Sequence, residues 1–249
     1  YSNFRKNYIY GAIFSGALSW TIKSMTMEQM VQEMAYAHFG LGSESEASRF
    51  SQLFFRLCRL LEYYVAKMRT NQQEFFTYLY RHPFRIPSPK PIIKRYKELL
   101  RDSQDVLNLI ASLVPHVKTN RDYLRYFRFS AEISHLLAEK HRMTVSVNQR
   151  LKKFIQKRNI PIPALVKRQC KQEVRNFLKH AQAMYHEYER LWLLSAKRPN
   201  LDTTIARFTQ MLRYCERKIE QLDRDVAYES PFLPSAYIWS QEKYSKPRA

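Results

Sequence analysis

The chain has 249 residues, which is enough for one large domain or two smaller domains with a buried core. Its 42 lysines and arginines against 22 aspartates and glutamates give a formal net charge of +20, yet 45% of the residues are apolar. This composition excludes a disordered basic tail, and three cysteines without a CxxC pair argue against a disulfide framework or a zinc ribbon. No run of 18 or more uncharged apolar residues occurs, so the sequence predicts no transmembrane helix.

The four glycines, Gly11, Gly16, Gly40 and Gly42, all lie in the first 42 residues. Sheets joined by tight turns need glycine at those turns, so the rest of the chain is predicted to be neither a sandwich nor a βα array. The chain begins at Tyr1 and not at Met, which we interpret as a processed product or a piece of a longer polypeptide.

Residues 1–42 are predicted to form one βα unit. Residues 8–22 are apolar and follow Arg5 and Lys6, which would also fit a signal peptide, but two glycines and interior polar residues favour a buried strand. Thr26 and Gln29 form a capping box, helical spacing follows from Met27, and Gly40 is placed to end the helix. One βα unit cannot form a sheet, so its partner strands must come from elsewhere.

Residues 43–228 are predicted to form an α-helical bundle, and residues 229–249 an extended tail packed against it. Ser43 and Glu46 make a second capping box that opens a helix to about residue 80. Prolines in 82–91 and 159–163 break the pattern. The other helices are predicted over 91–114, from Thr119 and Asp122 to about 142, over 164–195 and over 200–226, while residues 143–158 either continue the third helix or form their own. The fold class is therefore mainly α, a multi-helix bundle preceded by a short βα unit.

The chain carries no recognisable catalytic or cofactor motif, and we predict neither a cofactor nor a metal site. HExxH, GxxxxGK[ST], GxGxxG and GxSxG are all absent. The seven histidines are scattered and are interpreted as packing or surface residues. The cysteines, Cys58, Cys170 and Cys215, lie on helical stripes and are interpreted as core thiols. No carboxylate pair suits acid–base chemistry, so we predict no catalytic residue in this chain.

The residue pattern that points most strongly to a function is a stretch rich in lysine and arginine. Twelve lysines and arginines lie between Lys140 and Lys179, with Glu173 as the single acid. Phe154 and Phe177 are the few aromatics among them, which disfavours a stacking platform for single strands. Two interpretations stay open: solvated helix faces, which we expect, or a phosphate-binding surface in a basic helical subunit of a ribonucleoprotein or organellar assembly that contacts RNA. The residues placed for phosphate binding are Arg150, Lys153, Lys157 and Arg168.

Several segments resemble the C-terminal part of bacterial glycosidases related to glycoside hydrolase family 20, the β-N-acetylhexosaminidases. IYGAIFSGALSWT resembles the last strand of their TIM barrel, and TMEQMVQEMAYAHFG resembles the last barrel helix. DYLRYFRFSAEISHLLAEKHR and YERLWLLSAKRPNLDTTIARF are similar to segments of the helical domain that follows the barrel. The resemblance spans about residues 1–225. It departs from the family where Pro199-Asn200 replaces a glycine pair, and in its positive charge.

The resemblance implies a function for the whole polypeptide. Family members remove terminal N-acetylhexosamine by attack of the sugar's own acetamido oxygen, steered by an Asp, with a neighbouring Glu as acid/base. That pair belongs to an earlier barrel strand and has no counterpart here. The implied partner is an N-terminal catalytic barrel of the same polypeptide, with an N-acetylhexosamine glycan as ligand. Trp20, at the end of the last strand, would line the sugar pocket, whereas Trp192 and Arg198 look structural.

Overall fold

The computed structural model describes residues 25–68, 78–84, 90–156, 161–195 and 201–224. The predicted strand at 8–22 lies outside these residues, as do Trp20, Arg198 and the tail 229–249. The division of the chain at residues 42 and 228 stays a prediction.

The described residues form six long helices and no strand, which confirms a mainly α fold. The predicted helices are found close to the predicted bounds, and residues 78–80 add a short helical turn. In chain order the helices are α1 (Met27–Phe39), α2 (Glu44–Met68), α3 (Lys90–Leu113), α4 (Tyr123–Gln156), α5 (Ala164–Ser195) and α6 (Leu201–Asp223).

Each helix packs against the next one in the chain, and α2 also touches α4. Contacts between successive helices from α3 to α6 show that these helices run antiparallel. The ring of Tyr96, early in α3, lies 5.1 Å from that of His141, in the second half of α4, and Arg150, late in α4, meets Glu173, early in α5. Lys171, also early in α5, meets Asp223 at the end of α6. The end of α4, the start of α5 and the end of α6 therefore lie at one end of the bundle.

Both predicted capping boxes are present. The Thr26 hydroxyl accepts from the Gln29 amide at 3.2 Å, and the Gln29 side chain accepts from the Thr26 amide at 2.7 Å. Glu46 accepts from the amides of Gly42 and Ser43 at 2.8 and 3.1 Å, and Ser43 accepts from the Glu46 amide. These bonds satisfy the amides that the first turn of each helix leaves unpaired, which fixes where α1 and α2 begin.

A cluster of three phenylalanines joins α1, α2 and α4. The ring centroids of Phe39 and Phe50 are 4.7 Å apart, and both rings lie within 6.4 Å of Phe127. All three side chains are buried, and Phe39 and Phe50 are completely so. Burial of aromatic area of this kind stabilises a helix pair far more than helix propensity does.

The bounds of α4 decide between the two alternatives for the residues after 142 and correct the predicted start of this helix. Residues 143–156 continue α4 without a break, because Met143, Val147, Leu151 and Phe154 extend its buried stripe. The prediction that Thr119 opens this helix is wrong. Its hydroxyl instead donates to the His38 carbonyl at 2.7 Å, and α4 begins only at Tyr123.

Gly40 ends α1 in the left-handed region, with φ of 64°, as the sequence predicts. A Cβ at this position would lie 3.1 Å from the Lys118 Cβ and 3.2 Å from the Thr119 hydroxyl, so the site is also tight. Gly40→Ala is expected to lower the free energy of unfolding by about 1–2 kcal/mol, because alanine avoids this conformation.

Urea denaturation of the variant measures this loss. Gly40→Asn has the same Cβ but tolerates the left-handed region better, so it should cost less than alanine. An asparagine variant as unstable as the alanine variant would show that crowding, not backbone conformation, sets the cost.

Candidate functional site

The predicted site residues are described only in part. Trp20 and Lys157, and the side chain of Lys153, lie outside the described part of the chain. Arg150 and Arg168 are described and lie on neighbouring helices at the same end of the bundle. The Arg150 guanidinium donates to Gln169 at 2.7 Å and to Glu173 at 3.0 Å, whereas Arg168 is exposed. Arg150 is therefore engaged in holding α4 to α5.

Lys140 belongs to the basic stretch but lies in the core. Its ammonium donates to the carbonyls of Tyr78, Leu79 and Arg81 at 2.6, 2.7 and 2.5 Å. Burial lowers the pKa of Lys140 to about 7, while three acceptors at these distances match the three protons of the ammonium. Lys140 fastens residues 78–84 to α4 and cannot reach a ligand in solvent.

A polar cluster that the sequence analysis missed lies where α3, α4 and α5 meet. The Glu139 carboxylate accepts from His180 Nδ1 at 2.5 Å, and its other oxygen is 3.7 Å from His135 Nε2. The Arg142 guanidinium is 3.5 Å from the same carboxylate. The i,i+4 spacing of His135 and Glu139 was visible in the sequence, but His180 is 41 positions from Glu139, and only the pairing of α4 with α5 brings it there.

The surroundings of the two histidines in this cluster shift their pKa values in opposite directions. The hydrogen bond to Glu139 raises the pKa of His180. Burial lowers the pKa of His135; the charge of Glu139 opposes this shift, and the charges of His180 and Arg142 add to it. Burial alone would raise the pKa of Glu139, but the hydrogen bond from His180 and the surrounding charges hold it below its usual value. These shifts favour the charged forms of His180 and Glu139 and the neutral form of His135.

Ser103, His135 and Glu139 lie in a chain of contacts, but Ser103 does not have the geometry of a catalytic nucleophile. Its hydroxyl lies 3.0 Å from His135 Nδ1 but also 2.6 Å from the Leu99 carbonyl, to which its single proton is donated. The side chain is completely buried. A nucleophilic hydroxyl must donate to its base and face an open space for the substrate, so this contact is structural.

A groove of about 710 Å³ runs between α3 and the start of α4. Its lining includes the apolar side chains of Leu107, Ile110 and Leu124 and the cationic side chains of Arg121, Arg125 and Arg128. Arg121 donates to the Val114 carbonyl at 2.6 Å, and Arg128 donates to Glu132 at 2.7 Å. Two of the three guanidinium groups therefore already have partners within the bundle.

Three further features of the described residues bear on function: possible metal ligands, the cysteines and the apolarity of the helices. No group of three or more His, Cys, Asp or Glu side chains among them is arranged to hold a metal ion. Cys170 and Cys215 are buried free thiols, as the sequence predicts, and burial raises the pKa of Cys215 to about 12. The Cys58 side chain is half-buried. In the part of the chain that the structure covers, no helix has the length and apolarity to cross a bilayer.

No protein-family model, no curated protein and no solved structure matches this chain. The predicted resemblance to family 20 glycosidases therefore rests on the quoted sequence segments alone and stays a prediction.

His180→Gln should destabilise the bundle more at pH 5.5 than at pH 9. A histidine whose pKa is raised by folding contributes stability that is complete below its unfolded pKa of about 6.5 and is lost as the pH rises through the folded value. We expect a loss of about 1–2 kcal/mol at pH 5.5 and a clearly smaller loss at pH 9, measured by chemical denaturation.

His186→Gln provides the matched control, since His186 is exposed on the same helix. Its stability should follow that of the parent chain at both pH values. Equal losses for His180→Gln at pH 5.5 and pH 9 would contradict a charged pair between His180 and Glu139.

Proposed function

We propose that this chain is the non-catalytic C-terminal helical part of a carbohydrate-active glycoside hydrolase of the β-N-acetylhexosaminidase type. In this proposal the bundle supports a catalytic barrel in the same polypeptide and the sugar pocket of that barrel. The sequence segments similar to family 20 enzymes suggest it. The observation that carries it in the structure is the incompletely covered apolar stripe of α1.

The apolar stripe of α1 extends beyond the bundle that covers it. Met30, Val31 and Met34 are buried, but Met27 is 44% exposed and Met25 is 38% exposed. These two methionines lie at the end of α1 where the chain arrives from residues 1–24. Uncovered apolar side chains at a helix end of this kind suit contact with an adjoining domain.

The other end of α1 is fastened firmly to the bundle. The His38 carbonyl accepts from Thr119 at 2.7 Å and from the Asn120 amide group at 2.8 Å, and the Phe39 carbonyl accepts from the Lys118 amide at 3.0 Å. With Phe39 buried against Phe50, the C-terminal end of α1 is held to the bundle. A helix held at one end and apolar at the other is suited to join two domains in a fixed orientation.

The proposal assigns few roles to residues of this chain. Trp20 would stack on the sugar ring at the end of the last barrel strand, where the active sites of such barrels lie. Trp192 packs against Tyr188, with ring centroids 5.9 Å apart, in keeping with a structural role. The acid and the steering carboxylate would come from an earlier strand of the barrel, with an N-acetylhexosamine glycan as the substrate.

The length of the native polypeptide tests this proposal. A barrel needs about 250 residues, so a native protein that contains this chain should be close to twice its 249 residues or longer. Intact mass and peptide mapping of the protein isolated from its source would show this. The mapped sequence before Tyr1 should contain adjacent Asp and Glu at the end of a predicted strand. A native polypeptide with no such segment would overturn the proposal.

A further inference from the structure

Positive charge is concentrated from one end of the bundle to the middle of α5, and the fold brings it together from two helices. Arg150 and Lys152 lie near the end of α4, and five more cations lie in the first half of the adjacent α5. Glu173 is the single carboxylate among them, and it is paired with Arg150 at 3.0 Å. The neighbouring end of α6 is balanced, since Glu216, Arg217, Glu220, Asp223 and Arg224 nearly cancel. The α5 cations are Lys167, Arg168, Lys171, Arg175 and Lys179.

Three of these cations form a ridge along the outer side of α5, and we call Arg168, Arg175 and Lys179 the cationic ridge. Their spacings of seven and four residues place them in one line about 16 Å long, at 1.5 Å of rise per residue. All three are exposed, and none has a hydrogen bond or ion pair to another residue in the described ranges. By contrast, Lys171 is tied to Asp223 at 2.5 Å.

The electrostatic setting of the ridge stays positive. The hydrogen bond from Lys171 lowers the pKa of Asp223, and the nearby charges of Arg175 and Lys167 lower it further. Glu173 and Asp223 each have a cationic partner outside the ridge, Arg150 and Lys171. A ligand anion at the ridge would therefore meet a net positive field.

The ridge offers charge without aromatic surface. Phe154 and Phe177, the phenylalanines of the basic stretch, are both buried. Single-stranded nucleic acids are held largely by stacking on exposed aromatics, which this ridge lacks. No element in the described part of the bundle projects from the ridge to enter a duplex groove, as sequence-reading folds do. The ridge suits a linear chain that carries its charges on the outside.

We propose that the cationic ridge binds a linear anionic polysaccharide, whose sulfate or carboxylate groups pair with Arg168, Arg175 and Lys179. The choice of a glycan as the polyanion depends on the proposed function as part of a carbohydrate-active enzyme. The ridge would hold the charged polymer at a site separate from the sugar pocket. Guanidinium groups suit this task because they pair with such oxyanions in a bidentate manner.

Binding of the full chain to defined polymers at 150 mM salt tests the proposal. The probes are dextran sulfate, polygalacturonate, neutral dextran and a duplex RNA of about two helical turns, so that sulfate and carboxylate sources are distinguished. We expect binding to at least one anionic polysaccharide and none to neutral dextran. The triple variant R168E/R175E/K179E should weaken that binding at least about tenfold.

The matched control is R59E/K97E/R125E, which changes the net charge equally at exposed positions on other helices. It should weaken binding by less than about threefold, because screening confines the effect of distant charges. An equal loss in the control variant, or tighter binding to duplex RNA than to either anionic polysaccharide, would overturn the proposal. Absence of binding to both anionic polysaccharides would overturn it too. None of these outcomes bears on whether a barrel precedes Tyr1, so this proposal and the proposed function can fail separately.

Discussion

Replacement of Lys140 by methionine is expected to lower the free energy of unfolding by about 3–4 kcal/mol. Methionine fills the space of the lysine stem but donates no hydrogen bond, so the carbonyls of Tyr78, Leu79 and Arg81 lose their shared partner. Unpaired polar groups in a protein interior cost about 1–3 kcal/mol each, and part of this is recovered by local rearrangement. Chemical denaturation at pH 6 measures the loss.

In the Lys140→Met variant, the loss of structure should begin at residues 78–84. Hydrogen exchange in that segment is expected to lose protection before α4 does, because Lys140 is the link between the two. Lys152→Met, an exposed position on the same helix, should stay within about 0.5 kcal/mol of the parent chain. A Lys140→Met variant as stable as Lys152→Met would show that the three carbonyl contacts contribute nothing.

Phe208→Ala is expected to cost about 3–5 kcal/mol, the range for truncation of a buried phenylalanine. Phe208 is completely buried, and its ring lies 5.2 Å from Tyr80, 6.2 Å from Tyr185 and 6.3 Å from Tyr188. It therefore joins residues 78–84, α5 and α6 at one point. Thermal or urea denaturation would measure the loss.

Phe55→Ala supplies the comparison, since Phe55 is 38% exposed on α2 and should cost less than about 1 kcal/mol. The double variant Lys140→Met with Phe208→Ala should lose less than the sum of the two single losses. Both side chains hold the segment that contains Tyr80. The stability that comes from holding this segment can be lost only once, so the two losses overlap. Strict additivity would argue against this shared role.

The helical part of the fold follows from local patterns in the sequence. Thr26 and Gln29, and Ser43 with Glu46, mark helix starts by chemistry that acts over three residues. The buried stripe of α2 repeats at helical spacing and was therefore visible, from Phe50 to Leu60. Thr119 failed as a predicted cap because its hydroxyl is used by His38, 81 residues earlier, and no local pattern reports such a contact.

The polar contacts between helices could not be predicted from local patterns, because they join residues that are far apart in the sequence. In the sequence, Lys140, Arg150 and Arg168 are equivalent members of the basic stretch from 140 to 179. In the structure, Lys140 is buried on carbonyls, Arg150 is paired with Glu173, and Arg168 is exposed. The pairing of antiparallel helices sorts these cations into structural and accessible ones.

The hydrolysis of an aryl N-acetylglucosaminide tests the central claim most directly, when it is measured for the native polypeptide and for residues 1–249 alone. The proposed function predicts turnover by the native polypeptide and none by residues 1–249, since the catalytic carboxylates would lie before Tyr1. Turnover by residues 1–249 that disappears when one of their own carboxylates is replaced would contradict it. Absence of turnover by a native polypeptide that contains the barrel would contradict it equally.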